Sequence, residues 1–145
     1  MNAVYVESSA LLTWLLGEPR AHDVISALNQ AQTVVTSVLS LVEIERALNR
    51  AEYQRILTAS QAERVRGMLA RGKAGWILME ISEEVRSRAA RVFPVEPVRT
   101  LDAIHLATVL ILMRAFPDLQ LLSYDERILE NARPLGIDIS SCGIH

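Results

Sequence analysis

A chain of 145 residues with a formal net charge of -2 has the size of one domain and no overall basic field to recruit nucleic acid. Half of it is apolar but only 5% is aromatic, so the core is aliphatic, which favours layered helix and sheet packing over an aromatic-rich barrel. The single cysteine, Cys142, excludes an intramolecular disulfide framework and fits a reducing cytosol.

In chain order, AVYV (3–6) reads as a strand and SALLTWLL as a helix that starts at a Ser8/Ser9 cap, with Gly17 and Pro19 marking its end. AHDVISALNQA (21–31) has helical spacing, and TVVTS (33–37) is a short β-branched strand. SLVEIERALNRAE (40–52) and QAERVRGMLARGKAG (61–75) follow as helices. WILMEIS (76–82) is a third strand, and EEVRSRAARVF (83–93) a helix closed off by Pro94 and Pro97.

LDAIHLATVLILMRA (101–115) is apolar nearly all round and reads as a helix buried on several sides. LQLLS (119–123) is a fourth strand, DERILENARPL (125–135) a last helix and GIDIS (136–140) a short closing strand. No repeat, low-complexity tract or linker interrupts this order, so one domain over 1–145 is expected. No signal-peptide pattern opens the chain, and LATVLILM before Arg114 is too short to span a bilayer, so the expectation is a cytoplasmic chain with no membrane partner.

Short apolar strands alternating with helices point to an α/β fold, a mainly parallel sheet flanked by helices. In such folds the active crevice lies outside the carboxyl ends of the strands. Four acids fall at or near those ends. Glu7 directly follows the first strand, Asp125 follows the fourth, Asp102 opens the most apolar helix, and Glu43 lies in the helix after the second strand. Clustered carboxylates repel, and a divalent cation offsets that repulsion. Mg²⁺ and Mn²⁺ prefer oxygen ligands and suit hydrolysis of a phosphodiester.

Each acid also has a plain structural reading. Asp125 reads equally as the N-cap of its helix, with Ser123 and Glu126 at capping-box spacing. Asp102 suits a helix N-terminus through the dipole. Glu43 has Arg46 within pairing distance along its helix, and the helical wheel does not separate Glu43 from Glu45 as the inward acid. Glu7 resists such a reading, because an acid ending a buried strand is poorly placed for a solvated face.

Other candidates are weaker. His105 lies one turn from Asp102 and reads first as a packed, hydrogen-bonded histidine, while His22 and His145 read as surface or tail residues. No zinc spacing, Gly-rich phosphate loop or nucleophile elbow occurs. Trp14 and Trp76 read as core or interface. Lys73 is the only lysine among fifteen basic residues. Of the arginines, Arg99 stands nearest the proposed pocket and is the first choice for a contact to an RNA backbone.

At these same residues the chain resembles a PIN domain, specifically the VapC-type toxin ribonucleases of toxin–antitoxin pairs. VYVESSALL is similar to the opening strand and turn, and TSVLSLVEIERAL to the second-acid helix, which selects Glu43. RTLDAIHLATVL matches the most characteristic stretch and marks Asp102, and LLSYDERILENARPLG matches the closing strand, acid and helix and marks Asp125. The resemblance implies a PIN-like three-layer sandwich and an endoribonuclease with Glu7, Glu43, Asp102 and Asp125 around one or two Mg²⁺ or Mn²⁺ ions. It also implies a homodimer and a VapB-type antitoxin that covers the site; Ser9 and Arg99 are candidate contacts to substrate beside it. Structured RNAs such as tRNA or rRNA are the implied substrate class.

One position departs from the family pattern: the first acid is normally aspartate and here is Glu7, whose carboxylate lies further out by about 1.5 Å. A weakly active or degenerate PIN-domain binding module is therefore the alternative. A phosphoacceptor receiver domain is a third reading, disfavoured because Lys73 falls at the end of a polar helix rather than near an acid.

Overall fold

The computed structural model describes residues 2–143 of the chain, so the reading of His145 lies outside the described residues. Four parallel strands, β1 (Ala3–Val6), β2 (Thr33–Ser37), β3 (Ile77–Met79) and β4 (Gln120–Leu122), form one sheet in the order β3-β2-β1-β4. Helices α1 (Ser8–Leu15) and α2 (Ala21–Gln30) link β1 to β2. Helices α3 (Val38–Tyr53) and α4 (Ala59–Gly72), with a 3₁₀ turn at Lys73–Gly75, lead to β3. Helices α5 (Glu83–Ala89) and α6 (Thr100–Ala115) connect β3 to β4, and α7 (Glu126–Ala132) follows β4.

The period-2 alternation of the strands sorts the core into two halves. Val4, Val6, Val34 and Leu122 pack on one face with Leu11 and Leu15 of α1, Val24 of α2, Ile44 and Leu48 of α3, and Val65 and Leu69 of α4. Ala3, Tyr5, Val35 and Leu121 pack on the other face with Leu106, Val109 and Leu112 of α6 and Ile128 of α7. Helices on both faces of a parallel sheet give the three-layer α/β sandwich that the sequence implied.

β1 and β2 have the bounds that the sequence suggested, and the other strands are shorter. WILMEIS contributes only Ile77–Met79, LQLLS only Gln120–Leu122, and GIDIS only a single parallel bridge between Gln120 and Asp138. β3 is an edge strand with Ile77 and Leu78 exposed, so its flanking residues have no second partner strand to extend against. The helix over 83–93 ends at Ala89, ahead of Phe93, whose N–H turns to the Glu96 carboxylate.

Trp14 and Trp76 lie against each other with ring centroids 6.3 Å apart. Gly72 makes room for them, since a Cβ there would meet the Trp14 ring at 2.6 Å. Among the described residues, no helix is long and apolar enough to cross a membrane.

The strand order fixes where a site can lie. The chain moves from β1 outward to β2 and β3, then crosses to β4 on the other side of β1. The order therefore reverses between β1 and β4, and that switch point opens a crevice at their carboxyl ends.

Candidate active site

Glu7 stands at that switch point. Its N–H extends the β1–β4 ladder by donating to Leu122 O at 3.0 Å, and its side chain caps α1 by accepting from Ser9 N–H at 3.0 Å. The cap is Glu7 itself, not Ser8 or Ser9. Those serines instead donate their hydroxyls to its carboxylate, Ser8 Oγ to Oε2 at 2.6 Å and Ser9 Oγ to Oε1 at 2.5 Å. Ser123 Oγ, arriving from the end of β4, donates to Oε1 at 2.5 Å. Four donors thus meet a carboxylate that is 2% exposed, which explains how a charged group survives there. Backbone groups complete the cage: Ser9 Oγ accepts from Tyr124 N–H and Ser123 Oγ from Asp125 N–H.

Glu43 comes from the second turn of α3, which starts directly after β2 with Ser37 as its N-cap. Its Oε1 meets His105 Nε2 at 2.6 Å. Glu45 points elsewhere. It binds Arg66 at 3.0 Å, and Arg66 also reaches Glu52, Glu63 and Asn49, tying α3 to α4 at the surface. The structure therefore separates the two acids that the helical wheel left unresolved.

Asp102 lies in the first turn of α6, where the helix dipole favours a negative charge, and is 5% exposed. Arg99 grips it through Nε at 3.0 Å and reaches Asp125 through Nη2 at 3.7 Å. Asp102 in turn pushes the Arg99 guanidinium above its ordinary pKa through their hydrogen bond, so this arginine stays charged. Asp125 caps α7 by accepting from Arg127 N–H, so the capping reading and membership of the acid cluster both describe it.

Glu7, Ser8, Ser9, Glu43, Arg99, Asp102 and Asp125 line one cleft of about 300 Å³. Four carboxylates face one guanidinium, so the cleft is net negative. Such a cleft repels phosphate unless a cation enters. The donor set suits a hard divalent ion: carboxylate oxygens of Glu7 and Glu43 lie within 4.8 Å of each other, and Asp102 and Asp125 add oxygens from the same walls, while His105 Nε2 in the same span is bonded to Glu43. Glu7 differs from the rest, because its four bonds fill the acceptor positions of a carboxylate. It would reach an ion by releasing a serine hydroxyl.

Two participants escaped the sequence reading as site residues. Ser8 and Ser123 read there only as caps, although their spacing from Glu7 and Asp125 was the available signal. His105 read as a buried, bonded histidine, and it is 1% exposed and bonded, but one of its partners is a cleft carboxylate.

Comparison with known proteins matches residues 4–134 to the PIN domain. The chain belongs to the PIN domain family. Within it, Ribonuclease VapC46 of Mycobacterium tuberculosis (strain ATCC 25618 / H37Rv) is 32% identical over 140 residues, 96% of this chain and 97% of that protein. Ribonuclease VapC35 of Mycobacterium tuberculosis (strain CDC 1551 / Oshkosh) is 31% identical over 142 residues, 97% of each. Among solved structures, the Mycobacterium tuberculosis toxin VapC20, described as cleaving the sarcin-ricin loop, aligns with a TM-score of 0.55 at 15% identity, covering 84% of this chain and 89% of that one.

VapBC2 of Rickettsia felis, solved on a DNA fragment of its promoter, also aligns at 0.55, with 10% identity over 85% of this chain and 99% of that one. Those two likenesses concern the fold. The family match and the two curated relatives place this PIN domain among the VapC ribonucleases, and the receiver-domain reading falls away.

Proposed function

We propose that this PIN domain is a divalent-cation-dependent endoribonuclease of the VapC toxin type, hydrolysing RNA phosphodiester bonds and held in check by a VapB-type antitoxin. The observation that carries the reading is the convergence of Glu7, Glu43, Asp102 and Asp125 on one cleft at the sheet's switch point. A binding module without chemistry, suggested by glutamate at position 7, is not favoured: all four carboxylates are present, and relatives spanning nearly the whole chain are ribonucleases.

Glu43, Asp102 and Asp125 would hold Mg²⁺ or Mn²⁺, joined by Glu7 when it gives up a serine contact. The ion supplies charge neutralisation at the phosphate and strengthens water as a nucleophile. The protein's own groups do the rest. Arg99, with its side chain about half exposed at the mouth, offers its fork to a substrate phosphate once a cation competes for Asp102. Ser9 lines the same cleft and sets Glu7 in place. The reading carries with it a homodimer, a structured RNA such as tRNA or rRNA as substrate, and the cytoplasm as the place where RNA and antitoxin meet.

Incubation of purified protein with total RNA and Mn²⁺ or Mg²⁺, beside an Asp102→Asn variant and a chelated control, tests this. Discrete cleavage products from the unmodified protein alone are expected. Equal cleavage by Asp102→Asn, or cleavage that survives chelation, overturns it.

A further inference from the structure

A buried polar chain runs from the sheet to the cleft through three elements. Tyr5 of β1 is fully buried, and its hydroxyl lies 2.7 Å from His105 Nδ1 on α6. The two rings meet edge to face, with centroids 6.0 Å apart. The opposite ring nitrogen, Nε2, lies 2.6 Å from Glu43 Oε1 on α3. Both imidazole nitrogens are therefore occupied, one by a phenol and one by a carboxylate.

We propose that Tyr5 and His105 are positioning residues: the buried Tyr5–His105–Glu43 chain fixes the imidazole in its Nε2–H form and aims the Glu43 carboxylate into the cleft. The proposal rests on the reading of Glu43 as a cation-binding carboxylate.

The direction of the chain follows from its ends. A carboxylate only accepts, so the proton between His105 and Glu43 belongs to Nε2. The other ring nitrogen, Nδ1, meets the Tyr5 hydroxyl at 2.7 Å. Both ring nitrogens thus have a polar partner, as a buried network requires.

The arrangement also separates His105 from the role of ligand. Its ring is 1% exposed, and the nitrogen facing the cleft is spent on Glu43. Partners that orient a ligand in this way affect metal affinity or activity by about 10–100-fold when removed. A long glutamate on a helix has many rotamers, and a single short bond from a packed ring removes most of them.

The test uses Mn²⁺ as probe. Long-range ¹H–¹⁵N NMR of the cation-free protein should show a proton on His105 Nε2; a proton on Nδ1 alone overturns the proposal. EPR titration should show His105→Leu binding Mn²⁺ about 10–100-fold more weakly, with RNA cleavage falling in kcat while KM is unchanged. His105→Gln should recover most of the affinity, because its amide carries an acceptor and a donor on one carbon, and Tyr5→Phe should give a smaller loss than His105→Leu.

If His105→Leu fails to fold by thermal melting, Tyr5→Phe decides, and wild-type Mn²⁺ affinity in that variant counts against the chain. Electron spin echo detection of a nitrogen bonded directly to Mn²⁺ in the unmodified protein would make His105 a ligand and also overturn it. Glu43→Gln separates the two levels. Wild-type binding and cleavage in that variant remove Glu43 from the cation site and the positioning with it, and leave the nuclease reading to the Asp102→Asn test. Loss of both there, with His105→Leu unaffected, removes the positioning alone.

Discussion

Glu7 accepts four hydrogen bonds, three of them from serine hydroxyls no longer than 2.6 Å. The extra methylene that distinguishes it from aspartate is what brings Oε1 to Ser123 across the gap between β1 and β4. Glu7→Asp is therefore expected to lose that cross-strand contact and about 1.5–3 kcal/mol of stability, read from denaturant unfolding. Ser8→Ala should also lower stability, but by freeing a lone pair on Oε2 it should tighten Mn²⁺ binding severalfold; weaker binding would show that the cage supports the ion instead of competing with it. Glu7, Asp102 and Asp125 were legible from the sequence because each follows or opens an apolar element. The serine hydroxyls were not, since a serine beside a helix start has a complete local explanation as a cap. Glu43 and Glu45 stood equal for a different reason: only the position of α4, which brings Arg66 to Glu45, separates them.

At the scale of elements, the central strands β1 and β2 match their expected bounds, and the outer strands do not. α6 falls within one residue of its expected start because its apolar pattern is long. β3 and β4 are three residues each, too short for periodicity to set their limits, and their extent depends on which neighbour offers a ladder. The start of α4 was placed two residues late, at Gln61. That residue is the return half of a capping box in which Thr58 Oγ1 accepts from Gln61 N–H while Gln61 Oε1 accepts from Thr58 N–H. Thr58→Ala should cost about 1 kcal/mol in chemical denaturation. RNA cleavage should not change, since Thr58 lies outside the cleft.

Across the whole molecule, three weak acids share one direction. Burial raises the Cys142 thiol above its ordinary 9.0 and, as the largest cause in each case, the Tyr5 and Tyr124 phenols above 10.0. The folded chain thus keeps protons that the unfolded chain gives up. Stability is full below the unfolded values and falls as pH climbs past them. Unfolding midpoints should begin to drop past about pH 9, the ordinary thiol value, and drop further past about pH 10, where Tyr5→Phe should flatten the fall. The same burial should leave Cys142 inert to thiol reagents until the chain unfolds. The topology has a consequence for synthesis as well. The cleft draws Glu7 from the first strand and Ser123 from 116 positions further on, with Asp125 beyond it. A growing chain has folded helices to form long before it owns the last of these side chains. Whatever chemistry the cleft performs is withheld until the final strand has left the ribosome, so the order of translation itself delays the arming of the molecule.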